Sequence, residues 1–306
     1  IIKQNELPLK FPNQVEEYAK NINKEISREE IEKRRDIREI LTFTIDPEDA
    51  KDFDDAISFR IKEKNIYEIG IHIADVGHYV EKESILDKEA FNRATSIYLV
   101  DRVVPMLPEI LSNNVCSLRP QEEKYTFSAI FNINKKGEIL KEWFGKSVIK
   151  SDRRFSYAEA QEIIETKKGN IKKEISLKNK EYKVSEKTVN AILVLNEIAT
   201  TLREERKKQG SINFNKKEIK FKLDSKKNPI EVVFKENKEA NKLIEEFMLL
   251  ANKKVAELFK KLKKEPSVYR IHDVPDKEKL KALKTIVKEF GYNLDITSRE
   301  GTTRTL

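Results

Sequence analysis

Cysteine is nearly absent: among 306 residues only Cys116 carries a thiol. One cysteine excludes an internal disulfide and any cysteine-based zinc cluster, and it suits a reducing compartment. Long apolar runs are missing too. No stretch approaches the ~20 residues that a membrane-spanning helix needs, so no membrane partner is expected. The opening Ile1-Ile2-Lys3-Gln4-Asn5-Glu6 has no initiator Met, no basic start and no apolar signal core, and a cytoplasmic location is the expectation. Charge of neither sign is lacking. With 38% hydrophobic and 37% charged residues the chain reads as a highly charged globular protein. Its net charge of +8 permits a nucleic-acid partner without requiring one, since the excess is largely lysine and can be a compositional habit.

What is present is concentrated in Asp46-Pro47-Glu48-Asp49-Ala50-Lys51-Asp52-Phe53-Asp54-Asp55, where six carboxylates face one lysine. Acids this close raise one another's pKa and repel unless a cation sits among them. An acidic run is most often a solvated loop. An EF-hand calcium loop needs alternating oxygen ligands and a glycine at its sixth position; no register supplies them, and the first glycine after Asp46 is Gly70. The flanks argue for more than a solvated loop. Leu41–Ile45 and Ile57–Ile61 alternate apolar and polar residues, the pattern of half-buried strands. The acids are therefore expected between two strands of a core, as a candidate Mg²⁺ site that meets a phosphate. Strict strand parity would place Asp52 and Asp54 on one side and Asp55 on the other. Convergence of Asp46, Asp52, Asp54 and Asp55 requires an irregular backbone, which spacing alone does not establish.

The rest of the chain reads as α+β. Asn13 starts a helical pattern that continues, with a break, to about Ile40. Ile57–Ile61 and Tyr67–Ile73 form a hairpin about Lys64-Asn65, and Thr126–Ile133 and Ile139–Ile149 a second one about Lys135-Lys136-Gly137. Asp87–Ala94 is a short helix, followed by a strand at Val103–Met106. Helices then follow at Tyr157–Glu165, from Glu186 to Gly210, from Lys238 to Lys264 and over Asp276–Phe290. Strands near Ile219–Leu223 and Ile230–Phe234 flank Asn228-Pro229. His72 and His78 are expected to be hydrogen-bonded structural residues rather than metal ligands. The lysine-rich Lys167–Lys183 reads as a solvated insertion or a phosphate-tracking patch.

The Asp46–Ala56 block resembles the catalytic signature of the RNB (ribonuclease II/R) exoribonuclease family, most similar to its ribonuclease R branch. The likeness continues through His72-Ile73-Ala74-Asp75-Val76-Gly77-His78-Tyr79-Val80, Thr95–Pro108 and Cys116-Ser117-Leu118, with weaker echoes at Gly210–Phe214 and Ile244–Asn252. It implies an α+β fold of RNB type, with a mixed, largely antiparallel sheet and packed helices. Residues 1–40 would be the end of an upstream OB or cold-shock-type region plus a helical linker, and 41–306 the RNB catalytic domain. The final residues match none of the family's Ser-Pro-(hydrophobic)-Arg-Arg/Lys-Tyr block, so a fragment cut at both ends is expected.

The same resemblance implies a 3′→5′ processive exoribonuclease that hydrolyses single-stranded RNA to nucleoside 5′-monophosphates with Mg²⁺, Mn²⁺ being able to substitute. Asp46 and Asp55 match the family's firmest metal ligands, Asp52 completes the cluster, and Asp54 matches the acid tied to the cleavage step. Tyr98 and Phe214 match a pair that clamps bases near the 3′ end; on residue type alone an aromatic between Ile97 and Leu99 is more often core. Glu246 matches a ribose-contacting acid, with Glu245 beside it leaving the register open by one. Glu48 and Asp49 are expected to be structural. Two other readings stand beside this one: another Mg²⁺-dependent phosphodiesterase, acting on DNA, and a non-catalytic RNA-binding protein.

Overall fold

Alternating apolar residues at Phe43, Ile45, Ile57, Phe59, Tyr67, Ile69 and Ile71 need a surface to cover them, and the fold supplies three long helices. The structure, a computed structural model, describes residues 2–211, 218–262, 268, 271 and 273–305. Its strands run in chain order as β1 (Arg35–Asp36), β2 (Thr42–Asp46), β3 (Asp55–Glu63), β4 (Ile66–Ala74), β5 (Ile97–Tyr98), β6 (Val103–Val104), β7 (Glu123–Asn134), β8 (Ile139–Lys150) and β9 (Arg153–Ser156). After them come β10 (Asn170–Ile171), β11 (Tyr182–Lys183), β12 (Glu218–Leu223) and β13 (Pro229–Lys235). The helices are α1 (Asn13–Lys20), α2 (Arg28–Glu32), α3 (Val76–Tyr79), α4 (Ile85–Arg93), α5 (Tyr157–Thr166), α6 (Glu186–Lys208), α7 (Glu239–Leu262), α8 (Lys277–Glu289) and α9 (Arg299–Thr305).

Seven strands form one sheet in the order β1-β8-β7-β4-β3-β2-β9. The four inner pairings are antiparallel, while β1 on β8 and β9 on β2 are parallel. This is the mixed, largely antiparallel sheet that the resemblance implies. The two long hairpins stand where the pattern put them. Asn65 (φ 64°) and Gly137 (φ 78°) supply the left-handed backbone that tight turns require.

One face of the sheet packs Ile69, Ile71, Phe131 and Phe155 against Ile163 of α5, Ile192 and Leu195 of α6, and Leu243 and Phe247 of α7. The other face packs Ala56, Ala74, Ile130 and Ile149 against Val15 and Ala19 of α1, Leu86 of α4, and Leu111 and Val115 of a π-helical turn. Among the described residues no helix is long and apolar enough to cross a membrane.

The structure corrects one expectation and extends the reading at two places. The N-terminal helical pattern stops at Glu32, because Arg35 and Asp36 leave it to pair with Ser147 and Val148 at the sheet's edge. The lysines of Lys167–Lys183 are exposed, as a solvated insertion implies, but the segment is also tied to the core. Ile171 is buried, β10 and β11 pair, and the Tyr182 hydroxyl donates to the buried Glu159 carboxylate at 2.7 Å. The helix α9 lies beyond the last one expected, in a segment whose threonines and glycine give weak helical propensity.

Candidate active site

Strands β2 and β3 pair only at Thr42↔Ser58 and Phe43↔Ile57, and then diverge. Residues 47–54 fill the gap outside any strand, turning first where the Ala50 N–H donates to the Pro47 carbonyl at 3.1 Å. This is the irregular backbone that convergence of the acids demanded. Asp46 ends β2 beside Ser156, the N-cap of α5, and Asp55 opens β3 opposite Ile73.

The loop between them is anchored at every limb. The Phe53 N–H donates to Ser117 Oγ at 2.9 Å, and that hydroxyl donates to the Lys51 carbonyl at 3.0 Å. The Leu118 N–H closes on the Phe53 carbonyl at 2.8 Å, and the Ala74 N–H on the Asp54 carbonyl at 3.0 Å. From the other side Arg154 Nη2 donates to the Pro47 and Glu48 carbonyls at 2.7 and 2.8 Å. Its guanidinium lies 4.7 Å over the Phe53 ring. Phe53 itself is buried and pins the loop to the second core.

The electrostatics follow from this crowding. Burial pushes the Asp46 carboxyl up to about 7, and the charges of Asp55 and Asp54 add to it against the pull of the Thr44 hydroxyl and Arg154. Burial, then the Asp54 charge, raises Asp55 to about 6. The surrounding protein and the Asp52 charge also raise Asp54, although its side chain reaches solvent. Tyr157, the first residue of α5, is pushed up to about 12 by burial and by Asp55 and Asp46, so its hydroxyl stays neutral beside them.

Carboxylates arranged this way fit a hard divalent cation. Asp46 Oδ2 is buried and makes no hydrogen bond, and such an acceptor costs free energy unless a cation or proton meets it. Among the described residues no three His, Cys, Asp or Glu side chains stand close enough together to hold a metal by themselves. Mg²⁺ does not need three: it is typically bound through one or two carboxylates, with water and phosphate oxygens completing its shell.

Tyr98 stands at the rim, on the short β5–β6 ribbon. Its ring is 70% exposed, and its hydroxyl pKa is raised by partial burial and by the charges of Asp52 and Asp54. An aromatic this exposed is not core, against the expectation from residue type alone. Ser96 Oγ, accepting from the Met106 N–H at 2.9 Å, ties the two limbs of that ribbon. Glu246 is buried on α7 and engaged by Arg206 of α6 through Nε at 3.3 Å and through Nη2. Phe214 lies outside the described residues. Asp49 reaches solvent and pairs with Lys220 of β12 at 2.9 Å. His72 is fully buried with Nδ1 2.6 Å from Ser128 Oγ, and His78 Nδ1 stands 3.5 Å from Arg34, so both fill structural roles. Ser117, Arg154 and Tyr157 were not marked by sequence reasoning. Ser117 lay inside a block of family likeness, but nothing local distinguishes Arg154 from the arginine before it.

Residues 34–304 match the RNB domain. The chain belongs to that family. Curated relatives include DIS3-like exonuclease 2 of Schizosaccharomyces pombe, 43% identical over 89% of this chain and 29% of the relative. Ribonuclease R 2 of Lactococcus lactis is 38% identical over 96% of the chain and 43% of its own length. A relative from Arabidopsis thaliana named inactive exonuclease DIS3L2 is 36% identical over 90% of the chain and 26% of its length. Among solved structures, Mycoplasma genitalium RNase R in complex with ribose-methylated single-stranded RNA superposes with a TM-score of 0.86 at 28% identity, covering 99% of this chain and 46% of that one. This RNB chain thus spans less than half the length of each of these relatives.

Proposed function

We propose that the chain is the catalytic part of a cytoplasmic 3′→5′ exoribonuclease that processively hydrolyses single-stranded RNA to nucleoside 5′-monophosphates. What supports this reading is an RNB domain in which the charges of Asp54 and Asp55 act on Asp46, and those of Asp52 and Asp54 on an exposed Tyr98. Asp46 and Asp55 would hold Mg²⁺, or Mn²⁺ in its place, with Asp52 and Asp54 completing the set. Bound there, the cation would polarise the scissile phosphate and lower the pKa of an attacking water. The chain's own residues do the rest. Tyr98 stacks a base near the 3′ end, jointly with Phe214. The wall of Phe53, Tyr157 and the sheet limits water around the acids. Glu246 would contact a ribose 2′-hydroxyl, which is how a site of this kind distinguishes RNA from DNA, once its buried carboxylate gives up part of its hold on Arg206.

The test is Mg²⁺-dependent degradation of 5′-labelled single-stranded RNA, beside an Asp54→Asn chain and DNA of the same sequence. A ladder shortening from the 3′ end, lost in the variant and on DNA, is the expected result. Equal cleavage of DNA would favour a general phosphodiesterase. A second reading, an RNA-binding module without catalysis, draws on the lack of a preformed three-ligand cluster among the described residues and on the relative named inactive. RNA retention with no cleavage, by this chain and by a longer version of it, would decide for that reading.

A further inference from the structure

Resting on the metal-binding reading above, we infer that Arg154 is the positioning residue that sets the acid loop for its cation. It touches the loop at both limbs. Pro47 and Glu48, whose carbonyls it holds, directly follow Asp46; Phe53, whose ring it covers, separates Asp52 from Asp54. It stands on β9 in register with Thr44 of β2, so its origin is fixed by the sheet that carries Asp46. Ser117 grips the far side of the same loop through the Phe53 amide and the Lys51 carbonyl. Each acid thereby lies on, or within one residue of, an anchored backbone group.

Charge alone gives Arg154 the opposite role. Once the acids are ionised, at about pH 8 where the binding is measured, a cation beside carboxylates repels a second cation, so an arginine that acted only through its charge would weaken metal binding, and its removal would tighten it. A planar guanidinium can serve two carbonyls and stack on an aromatic ring at once, which a lysine ammonium cannot reproduce. The two roles therefore predict opposite signs for the same substitution.

The experiment measures Mn²⁺ binding to the chain by electron paramagnetic resonance, without RNA, for wild type, Arg154→Lys and Arg154→Met, with thermal melts alongside. Outer-shell supports of metal ligands typically contribute 10–100-fold in affinity, so about tenfold weaker binding is expected in Arg154→Met. A loss at least as large is expected in Arg154→Lys, which keeps the repelling charge without the carbonyl-and-ring geometry, and near-native melts in both. Added guanidinium ion should recover part of the loss in Arg154→Met and leave wild type unchanged. Unchanged or tighter Mn²⁺ binding in a folded Arg154→Met chain would overturn the inference. So would unfolding of both variants, which would assign Arg154 to general stability. Absence of Mn²⁺ binding by wild type would instead overturn the metal reading, and the inference with it.

Discussion

Arg206 of α6 holds the carboxylate of Glu246 on α7 through two of its nitrogens, while its third, Nη1, donates to Ser211 Oγ at 2.7 Å. Glu246 is buried, whereas the arginine side chain is 39% exposed. Removing Arg206 would leave a buried carboxylate without its partner. Solvent reaching the arginine tempers the loss, so Arg206→Ala should cost about 1–2 kcal/mol of stability. Glu246→Gln, which leaves no uncompensated buried charge, should cost less. Chemical denaturation of both variants checks the order, and the reverse order would mean that the pair is not what holds α6 to α7.

Tyr98 offers the opposite case, a large aromatic with little to lose structurally. Its substitution by alanine should leave the melting temperature nearly unchanged, since exposed positions usually shift stability by under about 0.5 kcal/mol. Binding of single-stranded RNA should weaken by about 1–3 kcal/mol, the worth of one stacked base. Fluorescence anisotropy with a short labelled RNA measures it. A fall in melting temperature with no change in affinity would assign the ring to packing.

The raised carboxyls make the response to Mg²⁺ depend on pH. Asp46 and Asp55 titrate at about 7 and about 6 in the fold, above the ordinary value for aspartate. The fold therefore favours their protonated forms. That contribution is full below the unfolded value and is lost as pH rises through 6 and 7. A divalent cation competes with those protons. Mg²⁺ should raise the melting temperature clearly at about pH 8 and hardly at all at about pH 5.5, where protons hold the site. A Mg²⁺ effect of equal size at both pH values would mean that these two acids do not receive it.

His72 titrates in the other direction. Complete burial, with Arg35 nearby, lowers its pKa to about 3, so the ring is neutral in the fold and charges only on unfolding. The stability it brings is present above about pH 6.5 and is lost as pH falls toward 3, with a slope near 1.4 kcal/mol per pH unit for one proton. His72→Asn should therefore have a flatter stability curve than wild type across that window, the wild-type-minus-variant difference falling as pH falls. Parallel stability curves for the two proteins would show that His72 is already charged in the fold.

Much of the frame was readable from local pattern. The hairpin of β3 and β4 followed from alternating Ile and Tyr about Asn65, and α7 from the stripe of Ile244, Phe247 and Ala251, because periodicities of two and 3.6 are written into the chain itself. Pairings between distant segments were not readable. Nothing near Arg35 announces that it leaves the helical pattern to meet Ser147, more than a hundred positions on. Nothing near Glu246 announces Arg206, so an acid expected to face a ribose was not expected to be held by an arginine.

The sequence by itself determined the chemistry on offer: five aspartates in ten residues, one lysine among them, strands on either side, and no cysteine or histidine set to compete for a soft metal. It also showed that a regular strand would drive those acids to opposite faces. Tertiary structure alone decided how the loop that carries them is held. Backbone carbonyls and amides in an irregular loop have no neighbours of their own to satisfy them, so their geometry is set by whatever side chains the fold brings. Here the fold brings Ser117 from the segment before β7 and Arg154 from β9.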